Sequence, residues 1–226
     1  MTRPTALVTG ASRGIGRAIA VDLGRTHHVL VGGRDRDAVA EVVDSLPAAS
    51  PFLADLTDEA AVAQAVARVK SLDVLVHSAG ILAHYGPFAE ATTDKWRTVM
   101  DVNLIAPATL TRLLLPALRQ AHGLVVFINS GAGLNAGRGM SVYAASKFAL
   151  TALADALRAD EAGRIKVTTI HPGRTATAMQ AELRAAEGGS YTPGDYLDAD
   201  DVARAVRLAV DLPAGASLSS LRINPV

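Results

Sequence analysis

Tyr143 and Lys147 have the residue types and the spacing that acid/base chemistry needs. They stand four positions apart in Tyr-Ala-Ala-Ser-Lys, so a helix would place both side chains on one face. Lowering a tyrosine pKa from about 10 to near neutrality takes about 4 kcal/mol of differential stabilisation. A positive charge about 4 Å away supplies roughly that amount at an effective dielectric constant of about 20. The pair therefore predicts a tyrosine general acid/base whose pKa is lowered by a lysine, although most pairs at this spacing are ordinary helix surface.

The segment Thr9–Gly16, with the sequence Thr-Gly-Ala-Ser-Arg-Gly-Ile-Gly, is a candidate phosphate site. Its glycines allow the chain to turn sharply and to lie close to a pyrophosphate. The helix that follows offers free N–H groups and a partial positive charge. The spacing is G-x-x-x-G-x-G rather than G-x-G-x-x-G. We predict a dinucleotide site here, and a glycine-rich turn without a ligand is the alternative.

The end of the second predicted strand, Leu30-Val31-Gly32-Gly33-Arg34, bears on the choice of dinucleotide. A carboxylate at this point would accept a hydrogen bond from the ribose 2′-OH of NAD and repel a 2′-phosphate. Gly33 stands there instead and Arg34 follows it, with Arg13 as a second cation in the glycine loop. Guanidinium groups suit phosphate, so the sequence favours NADP(H) over NAD(H). The alternative for Arg34 is a solvated turn residue, and Asp35 beside it could weaken the local field.

Short β-branched runs alternate with longer helical patterns along the chain. The predicted strands are Ala6–Thr9, Val29–Gly32, Pro51–Ala54, Val74–His77, Gly123–Asn129, Lys166–His171 and Leu218–Ile223. The predicted helices are Gly14–Arg25, Asp37–Ser45, Glu59–Val69, Thr93–Gln120, Val142–Ala162 and Ala199–Asp211. The run Leu124–Ile128 is apolar without alternation, which is typical of a strand covered on both faces. The pattern predicts an α/β fold, a doubly wound parallel sheet of about seven strands with helices on both faces, in a single domain over residues 1–226.

The composition excludes several classes of site and partner. The formal net charge is zero, so it favours neither nucleic acid nor an acidic membrane surface. The absence of cysteine excludes disulfides, thiolate nucleophiles and cysteine-ligated metals, and fits a reducing compartment. The histidines show no paired metal-ligand spacing, so we predict no metal. No apolar run reaches the ~18 residues of a membrane span, and the first strand begins too early for a signal peptide, so we expect a cytoplasmic protein.

Residues 173–197 form a long connection between the sixth strand and the last helix, and contain Gly188-Gly189 and Pro193-Gly194. A connection of this length is usually functional and is often a lid. We predict a mobile substrate loop here, and the alternative is a disordered connection.

These motifs together resemble the short-chain dehydrogenase/reductase family, in its short single-domain branch. The resemblance covers nearly the whole chain. Ser130, thirteen positions before Tyr143, matches the family's catalytic serine, and Asn103 in Asp-Val-Asn matches its helical asparagine. Asp55 matches the residue that binds the adenine amine, and Pro172-Gly173 matches the motif after the sixth strand. Each motif alone is weak or moderate, but five in the right order are highly specific.

The resemblance implies a Rossmann-type sheet in the order 3-2-1-4-5-6-7 and hydride transfer between NADP(H) and a carbonyl/alcohol pair of a small apolar substrate. Tyr143 would protonate the carbonyl oxygen and Ser130 would orient it. Lys147 would bind the nicotinamide ribose and lower the Tyr143 pKa, and Asn103 would hold a proton-relay water. A homodimer or homotetramer is expected. A non-catalytic NADP(H)-binding sensor is the alternative function, and an isomerase or dehydratase is a third.

The resemblance also implies a set of residues that contact the cofactor. They are Gly10, Ser12, Arg13, Gly14, Ile15, Gly16, Arg34, Asp55, Leu56, Ala79, Gly80, Tyr143, Lys147, Pro172, Gly173, Thr175 and Thr177. Two departures from the family pattern stand close to these positions. His77-Ser78 replaces the usual Asn-Asn, and Asn129 replaces the first residue of the usual double serine.

Overall fold

The β-branched runs form a parallel sheet that is covered by helices on both faces. The computed structural model describes residues 3–226, and in that range seven strands pair in the order β3-β2-β1-β4-β5-β6-β7. The strands are β1 (Thr5–Val8), β2 (His28–Gly33), β3 (Ala49–Leu53), β4 (Val74–His77), β5 (Leu124–Ile128), β6 (Lys166–Pro172) and β7 (Ser220–Ile223). All six pairings are parallel. The predicted fold class and strand order are confirmed.

Eight α-helices lie in the described range. They are α1 (Gly14–Leu23), α2 (Arg36–Asp44), α3 (Glu59–Val66), α4 (Thr93–Met100), α5 (Ala106–Ala121), α6 (Ser141–Asp160), α7 (Ala178–Ala186) and α8 (Ala199–Val210). Carboxylates cap several of the helices at their first free N–H groups. Asp58 caps α3, and Asp198 caps α8 in a capping box with Asp201. These carboxylates mark the starts of α3 and α8.

The core has two halves because alternate residues of each strand face opposite sides of the sheet. On β1, Ala6 and Val8 belong to the half that contains Ile19 of α1 and Val206 of α8. Leu7 belongs to the other half, which includes buried leucines of α5 and α6. This double cover explains the continuous apolar run of β5, in which every residue is buried.

The helix predicted over Thr93–Gln120 is interrupted. A π-helical turn over Asp101–Ile105 separates α4 from α5. Such turns insert an extra residue and redirect side chains, and hydrophobic periodicity over a long helix does not reveal them. The other predicted elements differ from the structure only at their ends. For example, β3 begins at Ala49 and β7 at Ser220.

Within the described residues, only the stretch Thr93–Ala121, which comprises α4, the π-helical turn and α5, is long and apolar enough to cross a membrane by length and composition. Core helices pass the same test. Leu110, Leu114 and Leu118 on this stretch are fully buried in the half-core that contains β5, which accounts for its apolar character.

The predicted site residues follow the carboxyl ends of parallel strands. The glycine loop follows β1, Ala79-Gly80 follow β4, Ser130 follows β5 and Gly173 follows β6. In an open α/β sheet this edge is where ligands bind. Two surface clefts lie elsewhere. One of about 100 Å³ is lined by Phe127 and Leu153, and one of about 230 Å³ by His27 and Asp73.

Candidate active site

The glycine loop is shaped by close backbone contacts. Gly10 has φ of +63°, and a Cβ atom there would lie 2.9 Å from the Ala79 Cα. A Cβ atom at Gly16 would overlap the Gly10 carbonyl. No side chain caps the N-terminus of α1, where Arg13 is the N-cap residue, and the first turn has no acidic residue. The first N–H groups of α1 are therefore available to an anion.

Thr9 joins the glycine loop to the segment after β4. Its hydroxyl oxygen accepts hydrogen bonds from the backbone N–H groups of Ser78 and Ala79, both at 3.1 Å. The same hydroxyl donates to the Val76 carbonyl at 3.3 Å. These bonds hold Ala79 against Gly10, so two of the predicted cofactor segments form one wall.

The residues after β2 and β3 meet at an exposed corner. The Arg34 guanidinium lies 3.6 Å from an Asp55 carboxylate oxygen. The other Asp55 oxygen accepts from the Thr57 backbone N–H at 3.0 Å and from its hydroxyl at 2.7 Å. These bonds to Thr57, more than Arg34, hold the pKa of Asp55 below its ordinary value. Asp55 is thus a turn residue as well as a candidate adenine ligand.

Gly33 and Asp35 shape the same corner in other ways. The Asp35 carboxylate accepts from the first N–H groups of α2, so it is directed at that helix. A Cβ atom at Gly33 would lie 2.6 Å from a Val39 methyl carbon, so the packing of α2 disfavours a side chain there. At this corner Arg34 is therefore exposed, and position 33 carries no carboxylate that would repel a 2′-phosphate.

Ser130, Tyr143 and Lys147 meet where the end of β5 lies against the first turns of α6. Ser130 caps a short 3-10 helix, and its Oγ accepts from the Ala132 N–H at 3.1 Å. Lys147 is buried, and its Nζ donates to the Ile128 carbonyl at 3.1 Å. The same Nζ lies 5.7 Å from the centre of the Tyr143 ring. The structure thus brings together three of the four predicted catalytic side chains.

The pKa values of this cluster differ from the sequence prediction. Burial raises the pKa of the Tyr143 phenol, and a hydrogen bond with Ser130 opposes that rise. Burial also lowers the pKa of Lys147 to about 8. The net direction is opposite to the one expected from the Tyr143–Lys147 spacing because removal of the phenolate from water has the larger effect. The lowering of the Tyr143 pKa by Lys147 stays a prediction. The opposing interaction comes from Ser130.

Asn103 lies in the π-helical turn and is buried. Its Oδ1 accepts from the Ile81 N–H at 2.9 Å, and its Nδ2 donates to the Ile81 carbonyl at 2.9 Å and to the Ser146 Oγ at 3.1 Å. The side-chain amide therefore ties the segment after β4 to α6. The predicted water relay stays a prediction.

The chain after β6 returns to the glycine loop. The Gly173 N–H donates to the Ile223 carbonyl at 2.7 Å, and Thr177 caps α7. The Thr177 methyl carbon would lie 3.5 Å from a Cβ atom at Gly14. Thr177, one of the residues predicted to contact the cofactor, therefore lies beside the glycine loop. Thr175 is buried and its hydroxyl donates to the Gly173 carbonyl at 3.1 Å.

Residues 173–197 have a defined structure. They contain α7, and two backbone hydrogen bonds join the ends of the segment. The Ala176 N–H donates to the Leu197 carbonyl at 2.8 Å, and the Leu197 N–H donates to the Arg174 carbonyl at 3.0 Å. The Glu187 carboxylate pairs with both Arg174 and Arg184. The alternative of a disordered connection does not agree with this arrangement, and the mobility of the loop stays a prediction.

The geometry agrees with a match to known proteins. The family model described as short chain dehydrogenase matches residues 4–188. The chain belongs to the short-chain dehydrogenase family.

Three relatives illustrate the range of this family. An uncharacterized short-chain type dehydrogenase/reductase of Sinorhizobium fredii is 34% identical over 226 residues, which cover 97% of this chain and 90% of that protein. Serine 3-dehydrogenase of Agrobacterium fabrum is 30% identical, with 98% and 94% covered. A short-chain dehydrogenase structure from Escherichia coli, complexed with NADPH, has a TM-score of 0.89 at 28% identity and covers 98% of this chain and 96% of its own.

In this short-chain dehydrogenase a buried histidine, the last residue of β4, stands in place of the usual asparagine. The His77 Nε2 lies 2.8 Å from the Thr111 hydroxyl, and its ring stacks on Phe127 with centroids 4.9 Å apart. Burial lowers the pKa of His77 to about 3, so the ring is neutral at physiological pH. His77 therefore links β4 to α5 and to β5 without adding charge.

Sequence reasoning gave no role to several polar residues that support the site. His171 Nδ1 lies 3.1 Å from the Ser130 carbonyl, and Asn129 Nδ2 donates to the Lys147 carbonyl at 3.1 Å. Thr9, Asn129 and His171 are all buried polar residues at the carboxyl ends of apolar strands. That position, a polar residue closing an apolar run, is the signal that could have found them.

Proposed function

We propose that this chain is an NADP(H)-dependent oxidoreductase that transfers hydride between the nicotinamide and a carbonyl/alcohol pair of a small apolar substrate. The observation that carries the proposal is the cluster of Ser130, Tyr143 and Lys147, in which the Lys147 Nζ lies 5.7 Å from the centre of the Tyr143 ring and Ser130 opposes the burial-induced rise of the Tyr143 pKa. This cluster lies at the sheet edge that also holds an uncapped helix N-terminus. A proton donor and a dinucleotide site at one edge are what carbonyl reduction requires.

The residues present fit a dinucleotide. The overlap of a Cβ atom at Gly16 with Gly10 shows a loop that only glycines permit, and close backbone approach is what a pyrophosphate requires. Arg13 and Arg34 are exposed and would bind the 2′-phosphate, with Asp55 and Leu56 at the adenine. Ala79-Gly80, Pro172-Gly173 and the two threonines would line the nicotinamide half. NADP or NADPH is bound in several solved relatives, which supports this choice.

When bound, NADPH supplies the hydride. Ser130 hydrogen-bonds the substrate oxygen, and Tyr143 gives its phenolic proton to that oxygen during reduction. The raised pKa of Tyr143 keeps the phenol protonated at neutral pH, which suits an acid. Lys147, with a pKa of about 8, is largely protonated there and opposes the negative charge that the departing proton leaves on the phenol oxygen. Lys147 would also bind the ribose, and Asn103 would hold the relay water.

A test of this proposal compares NADPH with NADH oxidation across a panel of ketones and aldehydes, followed by nicotinamide absorbance. We expect turnover with NADPH that Tyr143→Phe abolishes while NADPH binding, measured by fluorescence titration, is kept. Tight NADPH binding without turnover across the panel would favour the sensor function instead. Preference for NADH would contradict the role given to Arg13 and Arg34.

We also propose a homodimer or homotetramer in the cytoplasm. Ile105, the last residue of the π-helical turn before α5, and Phe148 on α6 are large apolar side chains with 53% and 44% of their surface exposed. A second copy packed on these helices would bury them. Elution of the purified chain as a monomer in size-exclusion chromatography would contradict the oligomer.

A further inference from the structure

Three consecutive residues at the end of β5 contact one stripe of α6. The Ile128 carbonyl accepts from the Lys147 Nζ, and the Asn129 amide donates to the Lys147 carbonyl. Ser130 faces Tyr143 closely enough to oppose the rise that burial causes in the Tyr143 pKa. On α6 the stripe is Tyr143, Lys147 and Thr151, spaced by four residues and therefore on one face. The contacts of Ile128 and Ser130 are with the functional groups of Lys147 and Tyr143, which are proposed catalytic residues. Asn129, between them in the chain, contacts the helix backbone at Lys147.

Asn129 is held rigidly against α6. It is 4% exposed, and its Nδ2 donates at 3.1 Å to the Lys147 carbonyl and at 2.9 Å to the Thr151 Oγ1. The Thr151 hydroxyl lies 3.3 Å from the Gly133 carbonyl and 3.2 Å from the Lys147 carbonyl. This network connects the loop that carries Ser130 with two turns of the helix that carries Tyr143.

The Asn129 amide contributes through its donor group. Both bonds of the side chain use Nδ2, whereas Oδ1 is buried and has no hydrogen-bond partner within residues 3–226. The helix comes so close that a Cβ atom at Gly133 would lie 2.6 Å from Oδ1 and 2.8 Å from the Lys147 carbonyl. Burial of an acceptor without a hydrogen-bond partner destabilises the fold. The two hydrogen bonds donated by Nδ2 are the interactions of the Asn129 side chain that offset this cost.

We propose that Asn129 is a positioning residue that holds Ser130 in register with Tyr143 by fixing the end of β5 on the Tyr143–Lys147–Thr151 face of α6. The proposal rests on the proposed function, because Ser130 and Tyr143 are its reacting groups. Asn129 is adjacent to Ser130 in the chain, and its amide spans one turn of α6. Loss of the donor frees the strand end to shift relative to the phenol. A misplacement of the order of 1 Å can cost about a hundredfold in rate.

The test uses Asn129→Leu, which keeps the approximate size and removes the donor, and Thr151→Val, which removes an acceptor from the other end of the network. We expect kcat to fall by about tenfold to a hundredfold in Asn129→Leu with the KM for NADPH within about threefold of wild type. The double variant should lose little more than Asn129→Leu alone, since both changes break the same contact. Thr168→Val is the matched control, because Thr168 is buried near the amino end of β6 and its hydroxyl donates to the Leu218 carbonyl. It should leave kcat unchanged.

A second readout does not depend on turnover. In protein labelled with ¹³C at the tyrosine ring carbon that bears oxygen, the Tyr143 signal is assigned by its loss in Tyr143→Phe. At neutral pH this signal should move in Asn129→Leu toward its position in Ser130→Ala, and should not move in Thr168→Val. A wild-type signal in Asn129→Leu, or additive losses of kcat in the double variant, would overturn the proposal. If the wild type shows no NADPH-dependent turnover, the proposed function fails, and the tyrosine signal still decides the role of Asn129.

Discussion

The two halves of the candidate site are built in different ways. The phosphate half is made of backbone: a loop that glycines bring within van der Waals distance of itself, and the uncapped start of α1. The catalytic half is made of side chains from the end of β5 and from α6, which bond to carbonyl groups and, at Asn129 and Thr151, to each other. A backbone site changes when a Cβ atom is added, whereas a side-chain site changes when one polar atom is removed. The same size of substitution should therefore affect binding in one half and turnover in the other.

The largest expected effect is in the catalytic half. Tyr143→Phe removes the proton that is transferred to the substrate oxygen, and we expect kcat to fall by about 10²- to 10⁴-fold. The NADPH dissociation constant should stay within a few-fold of wild type, since the glycine loop is untouched. Steady-state kinetics and fluorescence titration of the same samples check the split. A parallel loss of NADPH affinity would show that the two halves are not separable in this way.

The glycine loop should give the opposite pattern. Gly16→Ala places a methyl group on the Gly10 carbonyl, so the loop must shift. We expect the NADPH dissociation constant to rise by at least about tenfold and the free energy of unfolding to fall by about 1–3 kcal/mol. Gly215→Ala is the matched control, because a Cβ atom there meets nothing within 4 Å. Gly16→Ala with wild-type affinity would contradict the close-approach account of the loop.

A charge change at the exposed corner should have a smaller and more selective effect. Arg34→Ala removes a guanidinium that can bond to a 2′-phosphate, a type of interaction worth about 1.5–3 kcal/mol, so NADPH affinity should fall by roughly ten- to a hundredfold. NADH affinity should not change, because NADH lacks that phosphate. Arg68→Ala, another exposed arginine, serves as the control. Equal losses for both cofactors would mean that Arg34 supports the corner through Asp55 rather than through the ligand.

The contrast between the halves also explains what could be predicted from sequence. The glycine loop is local, so spacing alone identified it together with β1 and α1. Tyr143 and Lys147 are on one helix, so their shared face was also predictable. The hydrogen-bond partners of the catalytic residues were not predictable, because Ile128, Asn129 and His171 reach the cluster from the ends of β5 and β6. The burial that raises the Tyr143 pKa comes from distant segments, so it could not be deduced from a four-residue spacing either. The π-helical turn at Asp101–Ile105 was missed because helical periodicity continues through it.

The smallest expected effect concerns stability rather than activity, and it comes from Lys147. Burial lowers its pKa from 10.5 in the unfolded chain to about 8 in the fold. The unfolded chain therefore binds more protons between these pH values, so folding stability should rise with pH across that window, and the cost of burying the ammonium is fully present below about pH 8. Lys147→Met removes this cost together with the bond to the Ile128 carbonyl, so a net gain of on the order of 1 kcal/mol in unfolding free energy is expected near neutral pH. Thermal melts of wild type and Lys147→Met from neutral to alkaline pH check the sign. The difference between them should shrink above about pH 8, and a constant difference would show that the Lys147 ammonium is not desolvated in the catalytic half.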